Sequence, residues 1–157
     1  EPVAPGLADD PVAWAPAPLA TFRPDVLSSR PAREASFARM VKAAYGGRCA
    51  ISGLDLRNGG GRGEVQAAHI RPVEAQGPDT VQNGLALSGT LHWMFDRGLI
   101  GVADDMTILV SGNKVPQDVR ARLISPTGRL HLPPDRRHHP HPDHLRWHRE
   151  NRFGAAA

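Results

Sequence analysis

The sequence predicts a small, loop-rich α+β domain whose centre is a pair of short strands followed by a helix. Its 157 residues suffice for one domain with a real hydrophobic core. The composition combines 5% aromatic residues with 16 glycines and 15 prolines, which favours short elements joined by loops. Within residues 65–96, two short apolar segments are separated by a polar loop, and a helical pattern follows them.

The N-terminal third is expected to hold a strap and the first helix. Residues 1–29 are rich in alanine and contain six prolines, which favours a linker or a strap across the domain. Residues 31–45 predict a helix, because Pro31 suits its first turn, Ser29 is a suitable cap and two glycines follow. One apolar stripe of this helix is expected to face the core: Phe37, Met40, Val41, Ala44 and Tyr45.

The central elements are two strands and one helix. The first strand is expected to end at His69, and the second covers residues 85–87. The helix is expected over residues 90–97, with His92 and Asp96 one turn apart on the same face, so that both can bind one cation. Three apolar side chains of the helix can turn the other way and anchor it: Leu91, Met94 and Phe95.

The C-terminal third is expected to add short elements and a basic tail. These elements are a hairpin (99–102 and 106–110), a helix (115–124), a strand (129–132) and a last helix beginning at Pro142 or Asp143. The histidines of residues 138–141 are expected in a solvated loop. His148 is a candidate for a structural or a phosphate contact. Residues 154–157 are expected to be a flexible tail, which leaves residues 30–153 as the folded domain.

The order of His69, Asn83 and His92 on strand, loop and helix resembles the HNH endonuclease family. The matching segments are AAHIRP around His69, NGLAL from Asn83, and LHWMFDRG around His92 and Asp96. Fourteen residues separate the first pair and nine the second. The close resemblance covers about residues 37–110. It implies a core of two strands and a helix around one divalent metal ion.

This resemblance implies a role for each of the matching residues. His69 corresponds to the general base that activates water. Asn83 corresponds to the residue that fixes the loop by hydrogen bonds to the backbone and so holds His69. His92 is the implied metal ligand, and Asp96 is our choice for a second one. The expected ion is Mg²⁺, with Mn²⁺, Ni²⁺ and Zn²⁺ as alternatives.

Two positions depart from the pattern that many HNH enzymes share. Ala68 stands where many of them carry a metal-binding Asp or His directly before the general base. The ligand set then needs water, substrate phosphate or another carboxylate such as Glu74 or Asp79. Cys49 is the only cysteine, which excludes the four-cysteine zinc site of many relatives. We therefore expect Cys49 to be a small buried filler in a scaffold held by apolar packing.

The charge of the chain is compatible with a nucleic-acid partner. The net charge is +3, and only two of the 19 basic residues are lysines. Arginine binds phosphate through a planar fork of N–H groups. The arginines expected to contact DNA are Arg71, Arg97, Arg146 and Arg149. The last two recur with Arg152 every three residues, which predicts one basic helical face.

The sequence as a whole predicts a metal-dependent DNA endonuclease, the cleavage domain of a restriction- or defence-type protein with a fused or associated DNA-reading domain. A second hypothesis, favoured by Ala68, is an HNH-like module that grips nucleic acid or a protein without cutting. A third is a transition-metal binder that uses the histidines of residues 138–148. No membrane span or signal peptide is readable, and the single cysteine is compatible with the cytoplasm.

Overall fold

A computed structural model describes residues 29–154 of the protein. The predicted strap and tail therefore lie outside the described residues, apart from Ser29 and Gly154. The helices are α1 (Arg30–Ala44), α2 (Gly89–Asp96), α3 (Gln117–Leu123) and α4 (Pro142–His148), and a π-helical segment, Arg149–Phe153, follows α4. The strands are β1 (Gln66–His69), β2 (Gly84–Leu87), β3 (Ile100–Val102) and β4 (Ile108–Val110).

The strands form two antiparallel pairs in the described part of the chain. In the β1–β2 pair, His69 lies opposite Gly84 and Gln66 opposite Leu87. The hairpin of β3 and β4 pairs Ile100 with Val110. The α+β class, the central strand–strand–helix order and the hairpin are thus confirmed. None of the helices in residues 29–154 has the length and apolar character that crossing a membrane requires.

Helix α1 packs on the β1–β2 pair through a narrower stripe than the sequence predicts. Its first turn is capped by Ser29, as expected. Phe37, Val41 and Tyr45 are buried, whereas Met40 is 44% exposed, so the prediction for Met40 was wrong. The two-stranded sheet covers one row of side chains on the helix, formed by Phe37, Val41 and Tyr45 at intervals of four residues. Met40 lies outside this row. Gly84 permits the close approach, because a Cβ there would overlap the Val41 side chain.

The core is apolar and continuous around β2 and α2. All three apolar residues of β2 are fully buried, and so is Ala68 on the paired strand. The anchoring side chains Leu91, Met94 and Phe95 are buried as predicted. Cys49 is also fully buried, and its Sγ accepts hydrogen bonds from the backbone N–H groups of Ser52 and Ser88, both at 3.4 Å. Its expected role as a buried filler is confirmed.

Residues 129–132 do not form the predicted strand. Arg129 makes one isolated bridge with Thr107, and the next two backbone N–H groups turn to different partners. Leu130 donates to the Met106 carbonyl at 3.0 Å and His131 to the Ala50 carbonyl at 2.8 Å. The segment joins two parts of the core through these hydrogen bonds, which its own sequence does not reveal.

The histidines of residues 138–141 are docked, so the prediction of a solvated loop was wrong. His141 is 6% exposed, its backbone N–H donates to the Gln82 carbonyl at 3.0 Å, and its Nδ1 accepts from the Asp143 N–H at 3.1 Å. The second contact caps the first turn of α4. His139 Nε2 lies 2.7 Å from the Pro133 carbonyl oxygen. Backbone capping and a tertiary contact therefore order this tract.

Candidate active site

A cavity of about 450 Å³ brings together the histidines that the sequence singled out. His69 enters it from the end of β1, and His92 and Asp96 enter it from α2. The opposite walls come from α1, from the loop after β1 and from the C-terminal residues His148 and Arg152. The cavity therefore unites a strand end, a helix face and a C-terminal segment remote in sequence.

The imidazole of His69 is held from two sides. Its ring stacks on Phe37 with the centroids 3.9 Å apart and the planes 12° from parallel. Its Nε2 lies 2.9 Å from Asp79 Oδ1. A neutral imidazole carries one N–H, so donation from Nε2 to Asp79 leaves Nδ1 as a proton acceptor. Sequence reasoning treated Asp79 as a carboxylate available to a metal ion, and the structure places it on His69 instead.

Asn83 closes the loop that carries Asp79. Its side chain is fully buried. The Oδ1 atom accepts from the Arg71 N–H at 2.9 Å, and Nδ2 donates to the carbonyls of Arg71 and Pro78, each at 2.9 Å. One amide thus joins the two ends of the loop between β1 and β2, which is the loop-fixing geometry that the resemblance implied for this position.

His92 and Asp96 present a donor set that suits a cation. His92 Nδ1 lies 2.7 Å from Gln66 Oε1, and His92 Nε2 lies 3.2 Å from Asp96 Oδ2. When Nδ1–H donates to Gln66, Nε2 and the carboxylate oxygen turn lone pairs toward each other. A cation between or beside them removes that repulsion. These two residues therefore fit a divalent ion.

The protein supplies only part of a coordination shell. Ala68 is fully buried in β1, and residues 29–154 contain no group of three His, Cys, Asp or Glu side chains arranged for a metal ion. The histidines of residues 138–148 therefore do not converge either. Mg²⁺ commonly keeps several waters and completes its shell with substrate phosphate, so a pair such as His92 and Asp96 is compatible with it.

His148 is a structural contact between helices. Its Nε2 lies 2.9 Å from the Phe95 carbonyl oxygen, and its ring stacks on the Phe95 ring at 3.8 Å. This contact joins the end of α4 to the last turn of α2, next to Asp96. Sequence reasoning left a structural and a phosphate role open, because nothing local identifies Phe95 as the partner.

The arginines expected to contact DNA lie in different environments. Arg71 donates from Nε to the Ala75 carbonyl at 2.6 Å, and its guanidinium lies over Trp147. Arg97 lies over the half-exposed ring of Trp93, 4.3 Å from its centroid. Both guanidinium groups are thus held against an indole ring.

The basic face predicted for the C-terminus does not form. Helix α4 ends at His148, and the π-helical turn that follows changes the spacing. Arg146 lies 3.5 Å from Asp143, whereas Arg149 donates to the Val102 carbonyl and to Asp104, both at 2.8 Å. Arg152, the third arginine of the predicted face, borders the cavity together with Arg30.

The buried His144 of α4 predicts a pH dependence of the free energy of unfolding. Burial first, and then the charges of His141 and Arg71, lower the pKa of His144 to about 4. In the unfolded chain, the His144 ring takes up a proton near pH 6.5. The fold keeps this ring neutral, so the free energy of unfolding is largest above pH 6.5 and decreases as the pH falls toward 4. We expect the decrease in the free energy of unfolding between pH 7 and pH 4 to be about 3 kcal/mol smaller in His144→Leu than in the parent. Urea unfolding at the two pH values measures it.

The control for this experiment is His138→Leu, which changes a partly exposed histidine. The loss of stability between pH 7 and pH 4 should be reduced less in His138→Leu than in His144→Leu. An unchanged pH dependence in His144→Leu would show that the ring is not kept neutral by the fold.

Comparison with known proteins shows which family this part of the chain resembles. The HNH endonuclease family model matches residues 49–103. The resemblance to the HNH endonuclease family is confirmed. The matched residues, called the HNH segment below, cover a shorter range than the predicted 37–110. They include the four candidate residues His69, Asn83, His92 and Asp96. Helices α1 and α4 lie outside them.

A solved structure shares the fold over a larger part of the chain. It is described as a modification-dependent TagI restriction endonuclease, with a TM-score of 0.57 and 29% sequence identity. The alignment covers 75% of this chain but 38% of that one, so the protein spans well under half of that enzyme's length. A comparison with curated protein sequences finds no match.

Proposed function

We propose that the protein is a divalent-metal-dependent endonuclease that hydrolyses DNA phosphodiester bonds. One observation carries the proposal: His69 and the His92–Asp96 pair border the same cavity, within the HNH segment. The similar solved structure is a restriction endonuclease with much additional chain. We therefore infer the cleavage domain of a restriction- or defence-type protein that works with a fused or associated DNA-reading domain.

Hydrolysis needs an activated water, and His69 can activate it. In the proposed reaction, Nδ1 of His69 accepts a proton from water as the water oxygen attacks phosphorus. The bond from phosphorus to the 3′ oxygen breaks, and the 3′ oxygen takes a proton from solvent. The 2.9 Å contact to Asp79 holds Nε2 and favours the positive charge that the ring gains. Stacking on Phe37 limits rotation of the ring. A general base positioned in this way contributes a factor of about 10²–10⁴ in rate.

The negative charge of the transition state is the second requirement. His92 and Asp96 would hold the divalent ion, Mg²⁺ first, which stabilises charge on the phosphate and on the leaving 3′ oxygen when it is bound. Gln66 keeps Nε2 of His92 free for this role by accepting from Nδ1. Asn83 holds the loop that places Asp79 on His69.

Supercoiled plasmid offers a direct test of cleavage. We expect nicked and then linear DNA with Mg²⁺ or Mn²⁺, and none with EDTA. Because phosphate contacts dominate without a DNA-reading domain, cleavage should show weak sequence preference and fall steeply as salt increases.

The second candidate function is an HNH-like module that binds nucleic acid or a protein without cutting. Buried Ala68 favours it, since the position cannot contribute a ligand. Plasmid that stays supercoiled with every divalent ion, while DNA binding persists, would support this module and overturn the endonuclease.

A further inference from the structure

We propose that Arg71, Trp147 and Arg152 form a clamp that binds a phosphate of the DNA backbone beside the cleavage cavity. These three residues are called the arginine clamp below. The inference rests on the proposed function in taking DNA as the partner. Trp147 and Arg152 lie outside the HNH segment, so the clamp joins that segment to the C-terminal helix.

The clamp is organised by one aromatic ring. The Cζ atoms of Arg71 and Arg152 lie over Trp147, 5.6 Å and 5.2 Å from the ring centroid. Arg71 donates from Nε to the Ala75 carbonyl and Arg152 from Nη1 to the Asn151 carbonyl. The remaining N–H groups of each guanidinium match the oxygens of a phosphate. Arg71 is further restrained, because Asn83 binds both its backbone N–H and its carbonyl. The two cations are therefore oriented before DNA arrives.

The charge of the clamp is not neutralised within the described residues. Neither Arg71 nor Arg152 forms an ion pair with a carboxylate in residues 29–154. Other arginines close to the site are compensated: Arg30 by Glu34 and Glu74, Arg146 by Asp143, and Arg149 by Asp104. Two cations that lie over one ring and have no carboxylate partner in residues 29–154 favour an anion, and a phosphodiester is the anion that the neighbouring cavity would process.

The clamp adjoins the cavity, since Ile70 and Pro72 on either side of Arg71 line it as well. Arg152 borders the cavity itself. Arg71 comes two residues after His69, directly beyond the end of β1. A backbone whose scissile phosphate lies between His69 and Asp96 would therefore pass these two guanidinium groups. The contacts are to phosphate alone, so they orient the strand without reading its sequence.

The test is the salt dependence of DNA binding, measured by fluorescence anisotropy with a labelled duplex in EDTA. We expect Arg71→Gln and Arg152→Gln each to reduce the slope of log Kobs against log salt concentration by about 0.9. Trp147→Leu should weaken binding by about tenfold although it leaves the net charge unchanged. Trp147→Phe, which keeps an aromatic face, should lose less DNA affinity than Trp147→Leu.

The matched control is Arg122→Gln, which removes the same charge from α3, where Arg122 lies 3.9 Å from Asp118. Its salt slope should equal that of the parent. Equal losses in Arg122→Gln and in the clamp variants would overturn the clamp, as would unchanged slopes in both clamp arginine variants. Circular dichroism checks that each variant is folded. If Trp147→Leu is unfolded, Trp147→Phe takes its place as the test of the ring.

This experiment separates the clamp from the catalytic proposal, because EDTA prevents cleavage during binding. Absence of plasmid nicking together with the expected slopes would overturn the endonuclease and leave the clamp supported. Nicking together with parent-like slopes in Arg71→Gln and Arg152→Gln would overturn the clamp alone.

Discussion

Replacing His69 by alanine should slow DNA cleavage by about 10²–10⁴-fold and leave DNA binding unchanged. The substitution removes the only group that we assign to activate water, whereas the clamp and the His92–Asp96 pair remain. The ring is 20% exposed and the strand around it is held by the β1–β2 pairing, so the fold should survive. Single-turnover nicking rates and duplex anisotropy measure the two properties separately.

His138→Ala is the control for this prediction, because His138 is a partly exposed histidine that does not border the cavity. Its cleavage rate should equal that of the parent. A His69→Ala protein that cleaves at the parent rate would exclude His69 as the base, whatever happens in the control.

Replacing His92 by alanine should reduce cleavage by about 100-fold at a fixed Mg²⁺ concentration and weaken the binding of Mn²⁺. The change leaves Asp96 as the single remaining donor of the pair, with Gln66 no longer orienting a ligand. Isothermal titration with Mn²⁺ in the absence of DNA detects the loss independently of activity.

Trp93→Ala provides the comparison on the same helix, since Trp93 adjoins His92 but is 52% exposed. It should bind Mn²⁺ as the parent does. Parent-like Mn²⁺ affinity in His92→Ala would mean that the ion is held elsewhere, and the assignment of this pair would then be wrong.

The placement of the candidate residues was predictable where it depends on local structure. His92 and Asp96 are four residues apart on one helix, and that spacing alone places both on one face. Asn83 needs only its neighbouring loop to make its three hydrogen bonds. The helices and strands around these residues follow from apolar period, caps and glycines, which act over a few residues.

The partners of those residues were not predictable, because they come from other elements. Nothing near His69 in the sequence indicates that Phe37 stacks on its ring, and Asp79 had been considered only as a metal ligand. The available signal for Asp79 was its place in the short loop that Asn83 closes. The prediction of a basic helical face at the C-terminus was wrong for a related reason. It assumed a continuous α-helix, whereas Arg149 binds β3 and the following turn is π-helical.

The sequence by itself determined the class of the fold, the order of its central elements and the histidines and carboxylate that could perform hydrolysis. Tertiary structure alone decided which partner each ring nitrogen of His69 and His92 contacts and which arginines border the cavity. Hydrogen bonds, stacking and charge compensation depend on atoms a few ångströms apart in space. The residues that provide them here, such as Arg71 and Trp147, are far apart along the chain, and only the packing of α4 against the rest of the domain brings them together.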